Sequence, residues 1–132
     1  MAGLSRAFVK AGARLLVNQT NDAWFDRSAG PEQHLSHCVF RCVENRVPAV
    51  RVANSGISCL ILPTGAILDR TENAWGRAPL AATPCWQVPL PDVDFQPTVY
   101  TRYGDWLFGI PCAIIAVIVF LAAVPWPRRK RM

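Results

Sequence analysis

Asn21, Asp22, Trp24 and Phe25 follow directly on an apolar, strand-like run at Leu15 to Val17 and precede a helix that opens at Pro31. Polar and aromatic residues at the carboxyl end of a strand in an α/β unit line the crevice into which the adjoining loops open, which makes these four candidates for binding chemistry. An Asn/Asp turn carrying two core aromatics produces the same pattern. Cys42 and Glu44 set a thiol near a carboxylate, as nucleophilic catalysis requires. Cys42, however, sits in mid-helix on an apolar stripe, whereas a reactive thiol needs an electropositive, partly exposed setting, so the expectation is a small core residue. His34, Cys38 and Cys42 recur at intervals of four and offer three metal-ligand types. A zinc site needs a fourth ligand and no ligand pair elsewhere supplies it, so no metal is expected. Asn18, Gln19 and Thr20 match the glycosylation acceptor pattern, which beside a buried strand reads as chance.

The elements that must position these residues follow from periodicity. Leu4 to Gly12 reads as the end of a helix, with Leu4, Phe8 and Ala11 on one side and Gly12 as its stop. A wholly apolar strand at Leu15 to Val17 suits a sheet covered on both faces, as in α/β layered folds. Proline favours a first helical position, so a helix runs from Pro31 to about Asn45 or Arg46, with Leu35, Cys38, Val39, Cys42 and Val43 as its buried stripe. Strands are expected at Ala49 to Ala53, Ile57 to Leu62 and Ala66 to Leu68, the last two joined by a tight turn at Pro63 to Gly65. An irregular stretch is expected from Asp69 to Trp86. Arg41 and Glu44, three apart on the helix, are placed to form a surface ion pair.

From Trp106 to Trp126 the chain carries no charged residue, and about 20 apolar residues are what a helix needs to cross a bilayer. A buried core helix of that length shows a polar stripe, and none is present. Pro111 and Gly109 are tolerated in such a span. Arg128, Arg129, Lys130 and Arg131 follow at once and favour the cytoplasmic side, which puts the preceding part outside. These four account for most of the net charge of +5, so nucleic acid is not an expected partner. Five cysteines without CxxC spacing, one of them inside the span, do not form a disulfide framework.

Taken in order, "AGARLLVNQTNDAWF", "PEQHLSHCVFRCVENRVPAVRVANSGIS" and "YTRYGDW" before an apolar helix resemble the C-terminal part of the bacterial apolipoprotein N-acyltransferases. That family belongs to the carbon-nitrogen hydrolase, or nitrilase-like, superfamily. The resemblance runs from about Leu4 to the basic tail and is weakest between Asp69 and Leu90. It implies an α/β fold: a partial nitrilase-like α-β-β-α sandwich over residues 1–103, one transmembrane helix over 104–126 and a cytoplasmic tail over 127–132. It implies location in the inner membrane with the soluble part on the periplasmic side. The implied activity is transfer of an acyl group from a phospholipid to the N-terminal cysteine of a diacylglyceryl lipoprotein, through a thioester on an enzyme cysteine and without a cofactor.

Carried over by position, Asn21, Asp22, Trp24 and Phe25 border the acyl site. Glu44, Asn54 and Ser55 join them as substrate-binding positions, with Asn45, Arg51 and Gly56 as further signature positions. Cys42 falls where relatives often have alanine. Asp26 stands where the family usually has glycine. The catalytic cysteine, glutamate and lysine of the family precede the matched region. The expectation is therefore a fragment, a truncated product or a misplaced start, inactive by itself, with phospholipid and lipoprotein as substrates of a parent enzyme and an upstream half as its partner. The alternative is a membrane-anchored remnant that acts through an interaction.

Overall fold

The computed structural model describes residues 2–25, 28–54, 56–71 and 85–123. Helix α1 (Ala2–Lys10) is followed by strand β1 (Leu16–Thr20), a single 3-10 turn (Ala23–Phe25), helix α2 (Gly30–Asn45) and strands β2 (Ala49–Ala53), β3 (Ser58–Ile61) and β4 (Ile67–Thr71). A short helix α3 (Val99–Tyr103) then leads into α4 (Trp106–Ala123). The four strands form one sheet in the order β1-β2-β3-β4. β1 and β2 are parallel, with Leu16 beside Ala49 and Asn18 beside Arg51; the other two pairings are antiparallel. A parallel pair needs a crossover, and α2 is that crossover.

Local chemistry sets these boundaries. Gly12 takes φ 100° just beyond α1, a conformation that costs glycine little. Pro31 occupies the first turn of α2, and Arg46 closes that helix in the left-handed conformation at φ 56°. Between β3 and β4 the expected tight turn is present: the Gly65 N–H donates to Leu62 O and the Leu62 N–H to Ala66 O. β4 then runs on to Thr71 instead of stopping at Leu68. It does so across a bulge, where Asp69 at φ 50° accompanies a skip in register between Ser58 and Leu60. β1 likewise outruns its apolar stretch, because Asn18 and Thr20 find polar partners in the interior.

Leu35, Cys38 and Cys42 of α2 pack on Ala49, Ile57, Cys59 and Ile61, with Leu16 and Ile67 at the margin. The stripe on α2 is narrower than its periodicity predicts, since Val43 stays exposed. On α1 the buried residue is Val9, while Leu4 and Phe8 are exposed. The far side of α2 is bolted to α3, an element periodicity does not reveal. Thr98 caps α3 by accepting from the Thr101 N–H, and its hydroxyl donates to Glu44 O at 2.6 Å. Buried Thr101 donates to Asn45 Oδ1 at 2.9 Å, and Arg6 Nε donates to Thr101 O. α4 is long and apolar enough to cross a membrane and buries none of its residues. The rest of the irregular stretch, residues 72–84, and the basic tail lie outside the described residues, as do Asp26 and Ser55.

Candidate functional site

The parallel pair β1/β2 ends in a buried ionic cluster. Strand alternation turns Leu16, Asn18 and Thr20 toward α2, together with their neighbours Ala49, Arg51 and Ala53. Polar side chains on that face must find partners inside the protein. Arg51, fully buried, finds three: Nη2 donates to Asp22 Oδ2 at 2.7 Å, Nη1 to Asn18 Oδ1 at 2.7 Å and Nε to Ile57 O at 3.2 Å; Nη2 also lies 3.3 Å from His34 Nδ1. Asp22, 1% exposed, spends its second oxygen on Thr20 Oγ1 at 3.1 Å and His34 Nδ1 at 2.9 Å. A carboxylate accepts only, so the His34 proton on this side sits on Nδ1, and the Arg51–His34 approach is donor to donor.

Burial pushes the Asp22 carboxyl up, but the His34 hydrogen bond, the charge and hydrogen bond of Arg51 and the Thr20 hydroxyl outweigh it and hold it below the usual carboxylate value. An ionised carboxylate saturated by three donors does not take up substrate protons. It anchors the chain at the point where β1 turns into the loop. Gly56 abuts it, so that a Cβ there would lie 2.3 Å from Asp22 Oδ2 and 2.7 Å from Asp22 Cβ. The absent side chain makes room for the carboxylate.

On that anchor stands the turn. Asn21 Oδ1 accepts from the Ala23 N–H, which starts the 3-10 turn. The Phe25 ring meets His34 edge-on with centroids 5.7 Å apart. Trp24 projects outward, 80% exposed. The turn is thus an Asn/Asp turn, but neither aromatic is a core residue. Asn54 joins it from β2, its N–H donating to Thr20 O. Glu44 does not: it lies ten residues beyond His34 on α2, about 15 Å along the axis, paired with Arg41 at 2.6 Å as its spacing predicts. Sequence reasoning passed over Asn18, whose amide the glycosylation pattern disguised; its parity with Leu16 is the signal that it faces inward.

A cavity of about 460 Å³ lies between α1, β1 and α2, with Leu4, Phe8, Leu15 and Val17 on its walls and Asn18, His34, Cys38 and Arg51 deeper in. Cys42 forms a hydrogen bond with Cys38 that lowers the Cys38 pKa, aided by the Arg51 and Arg41 charges. The same contact pushes Cys42 up, and burial takes Cys59 up to about 11. Cys42 is therefore an inert core thiol. Among the described residues no group of His, Cys, Asp or Glu is arranged to hold a metal ion.

The chain is similar over most of its length to proteins described as apolipoprotein N-acyltransferase. It is 46% identical over 122 residues to that of Geobacter metallireducens, covering 89% of this chain and 22% of the relative. It is 35% identical over 127 residues to that of Thermotoga maritima, covering 96% of this chain and 24% of the relative. With the Bradyrhizobium diazoefficiens protein the identity is 39% over 109 residues, covering 83% and 18%. The chain thus spans about a fifth of the length of the curated relatives it matches. Residues 1–83, which include the whole sheet, its crossover helix and the Asp22–Arg51 cluster, match the carbon-nitrogen hydrolase family, and the chain belongs to that family.

Proposed function

We propose that this chain provides the loop bordering the acyl site of an apolipoprotein N-acyltransferase. The observation that carries the reading is the buried Asp22–Arg51–His34 anchor, which fixes a turn carrying an exposed Trp24 at the carboxyl edge of a parallel strand pair. The similarity to N-acyltransferases supports it. The reaction needs a thiolate to take the acyl group from a phospholipid, a general base to move the proton and a positive group to hold the tetrahedral oxyanion. We assign none of these three roles to a residue of this chain. Asp22 and Arg51 keep the turn rigid; Asn21, Trp24 and Phe25 present its polar and aromatic surface to the acyl donor or acceptor; Asn54 borders the same turn. Glu44 is left to organise the α2–α3 junction. α4 spans the inner membrane, with the sheet on the periplasmic side.

The test is acyl transfer from a phospholipid to a diacylglyceryl lipopeptide with a free N-terminal cysteine. The chain alone should show none. Co-expressed with the Geobacter metallireducens relative lacking its matching 122-residue segment, it should restore transfer. Asp22→Asn should then reduce the rate roughly 10- to 100-fold, since misplacing a positioning group by about 1 Å costs that much. Turnover by the chain alone that disappears when one of its own cysteines is replaced would overturn the reading.

A further inference from the structure

We infer that the pocket where α1 meets the α3–α4 junction holds the head group of an ethanolamine phospholipid, with its phosphate on Arg6 and its ammonium on Asp105. The inference rests on the reading of α4 as a membrane span. The pocket, of about 300 Å³, is lined by Arg6, Tyr103, Asp105, Trp106 and Gly109. Trp106 opens α4 and Gly109 lies one turn inside it, so with α4 across a bilayer the pocket stands where hydrocarbon gives way to head groups. Tyr103 and Trp106, both exposed, are the residue types that settle at that boundary.

Arg6 is held in place before any lipid arrives. Its Nε donates to Thr101 O at 3.1 Å, and Thr101 is itself buried and bonded to Asn45. That bond fixes the guanidinium and uses one of its five N–H groups, which leaves the Nη1 and Nη2 hydrogens for a bidentate acceptor such as phosphate. Gly104 permits the approach: at φ 62° it lies so near that a Cβ would stand 2.8 Å from Arg6 Cζ. Asp105 accepts from the Tyr100 hydroxyl at 3.3 Å on Oδ1. Among the described residues neither Arg6 nor Asp105 forms an ion pair, although both line the same pocket.

This charge pattern selects the ligand. A simple anion would meet Asp105 as well as Arg6, and a simple cation the reverse. A head group carrying phosphate and a primary ammonium matches both, and the ammonium donates hydrogen bonds that a trimethylated one does not. The acyl chains then descend from Gly109, where a Cβ would meet nothing within 4 Å, along a helix that buries none of its residues. The site is distinct from the Trp24 turn. Thr101 ties the pocket to Asn45, whereas His34, which holds Asp22, lies eleven residues earlier on α2, about 16 Å along the axis.

The test is native mass spectrometry of the full chain in detergent with phosphatidylethanolamine, phosphatidylcholine and phosphatidylglycerol of identical chains. The ethanolamine lipid should be retained about 10-fold over the other two, the scale of one charge-assisted hydrogen bond. Arg6→Gln should reduce its retention by a similar factor, Asp105→Asn should erase its advantage over phosphatidylcholine, and Lys10→Gln should change neither. Arg6 also bolts α1 to α3, so the Asp105→Asn result stands even if Arg6→Gln fails to fold. Equal retention of the three lipids, or a preference unchanged in Asp105→Asn, would overturn the inference. Complete displacement by millimolar O-phosphoethanolamine would also overturn it, by showing a site for a soluble phosphate ester. An alkaline carbonate wash of membranes separates the two readings. A chain that resists the wash but shows no head-group preference keeps its span and loses the lipid site; one that is extracted yet keeps the preference does the reverse.

Discussion

The two faces of the sheet treat adjacent residues in opposite ways. Toward α2, Arg51 is fully buried; one residue on and facing away, Val52 is 44% exposed. Val17 at 63% and Leu68 at 42% share the outward face, where Leu60 and Ser58 of the middle strand are covered. An arginine more buried than the valine beside it inverts the usual ranking. Burial here follows completeness of partners. The helix-facing side has its ions matched and its apolar groups packed, whereas the outer face and the β1 edge hold apolar surface that the described residues leave uncovered.

The sharpest way to break this contrast is to remove Arg51. Arg51→Met leaves Asp22 ionised and buried without its main counter-charge, and loss of one member of such a pair costs about 3–5 kcal/mol. Denaturant unfolding of the detergent-solubilised chain, followed by tryptophan fluorescence, should show a loss of that size. Adding Asp22→Asn should recover part of it, because the deficit comes from the orphaned carboxylate. A pair of substitutions on the two faces sharpens the contrast at somewhat smaller scale. Leu35→Ala, within the packed side, should cost about 2–5 kcal/mol, whereas Val52→Thr on the outer face should stay within about 0.5 kcal/mol. In a complex that covers the outer face, Val52→Thr should become costly while Leu35→Ala is unchanged.

Much of the packed side was legible in the sequence. Pro31, the three- and four-residue spacing on α2, the AVRVA strand and the Pro63–Gly65 turn each carry a local rule that tertiary contacts did not override. Their place after the β1 strand brings Asn21 and Asp22 to notice, and the resemblance adds Asn54 and Arg51. It did not convey that Asp22 is the anchor and Arg51 its partner, because their bond joins residues 29 apart and depends on strand register. α3 was missed for a related reason: five residues held by Thr98, Asn45 and Arg6 carry no periodic signal of their own. Leu4 and Phe8 of α1 and Ala11 just beyond it share one side, as their spacing predicts, and that side lines the cavity.

The smallest expected effect lies in acid. The Asp22 carboxyl is held below its ordinary value of 3.8 by His34, Arg51 and Thr20 against the opposing push of burial. A carboxylate with a depressed folded-state pKa binds fewer protons folded than unfolded in the interval between the two values. Its contribution is therefore fully present above the unfolded pKa, about 3.9, and drains away as pH falls through the lower folded value. Between pH 7 and 5 the contribution should be flat, and below about 4 it should fall. Asp22→Asn removes the titrating group and should flatten that acid limb relative to the unsubstituted chain, whatever its effect at neutral pH. An equally steep limb in the variant would mean that the acid sensitivity belongs to other carboxylates, and that the packed face is not held by this charge.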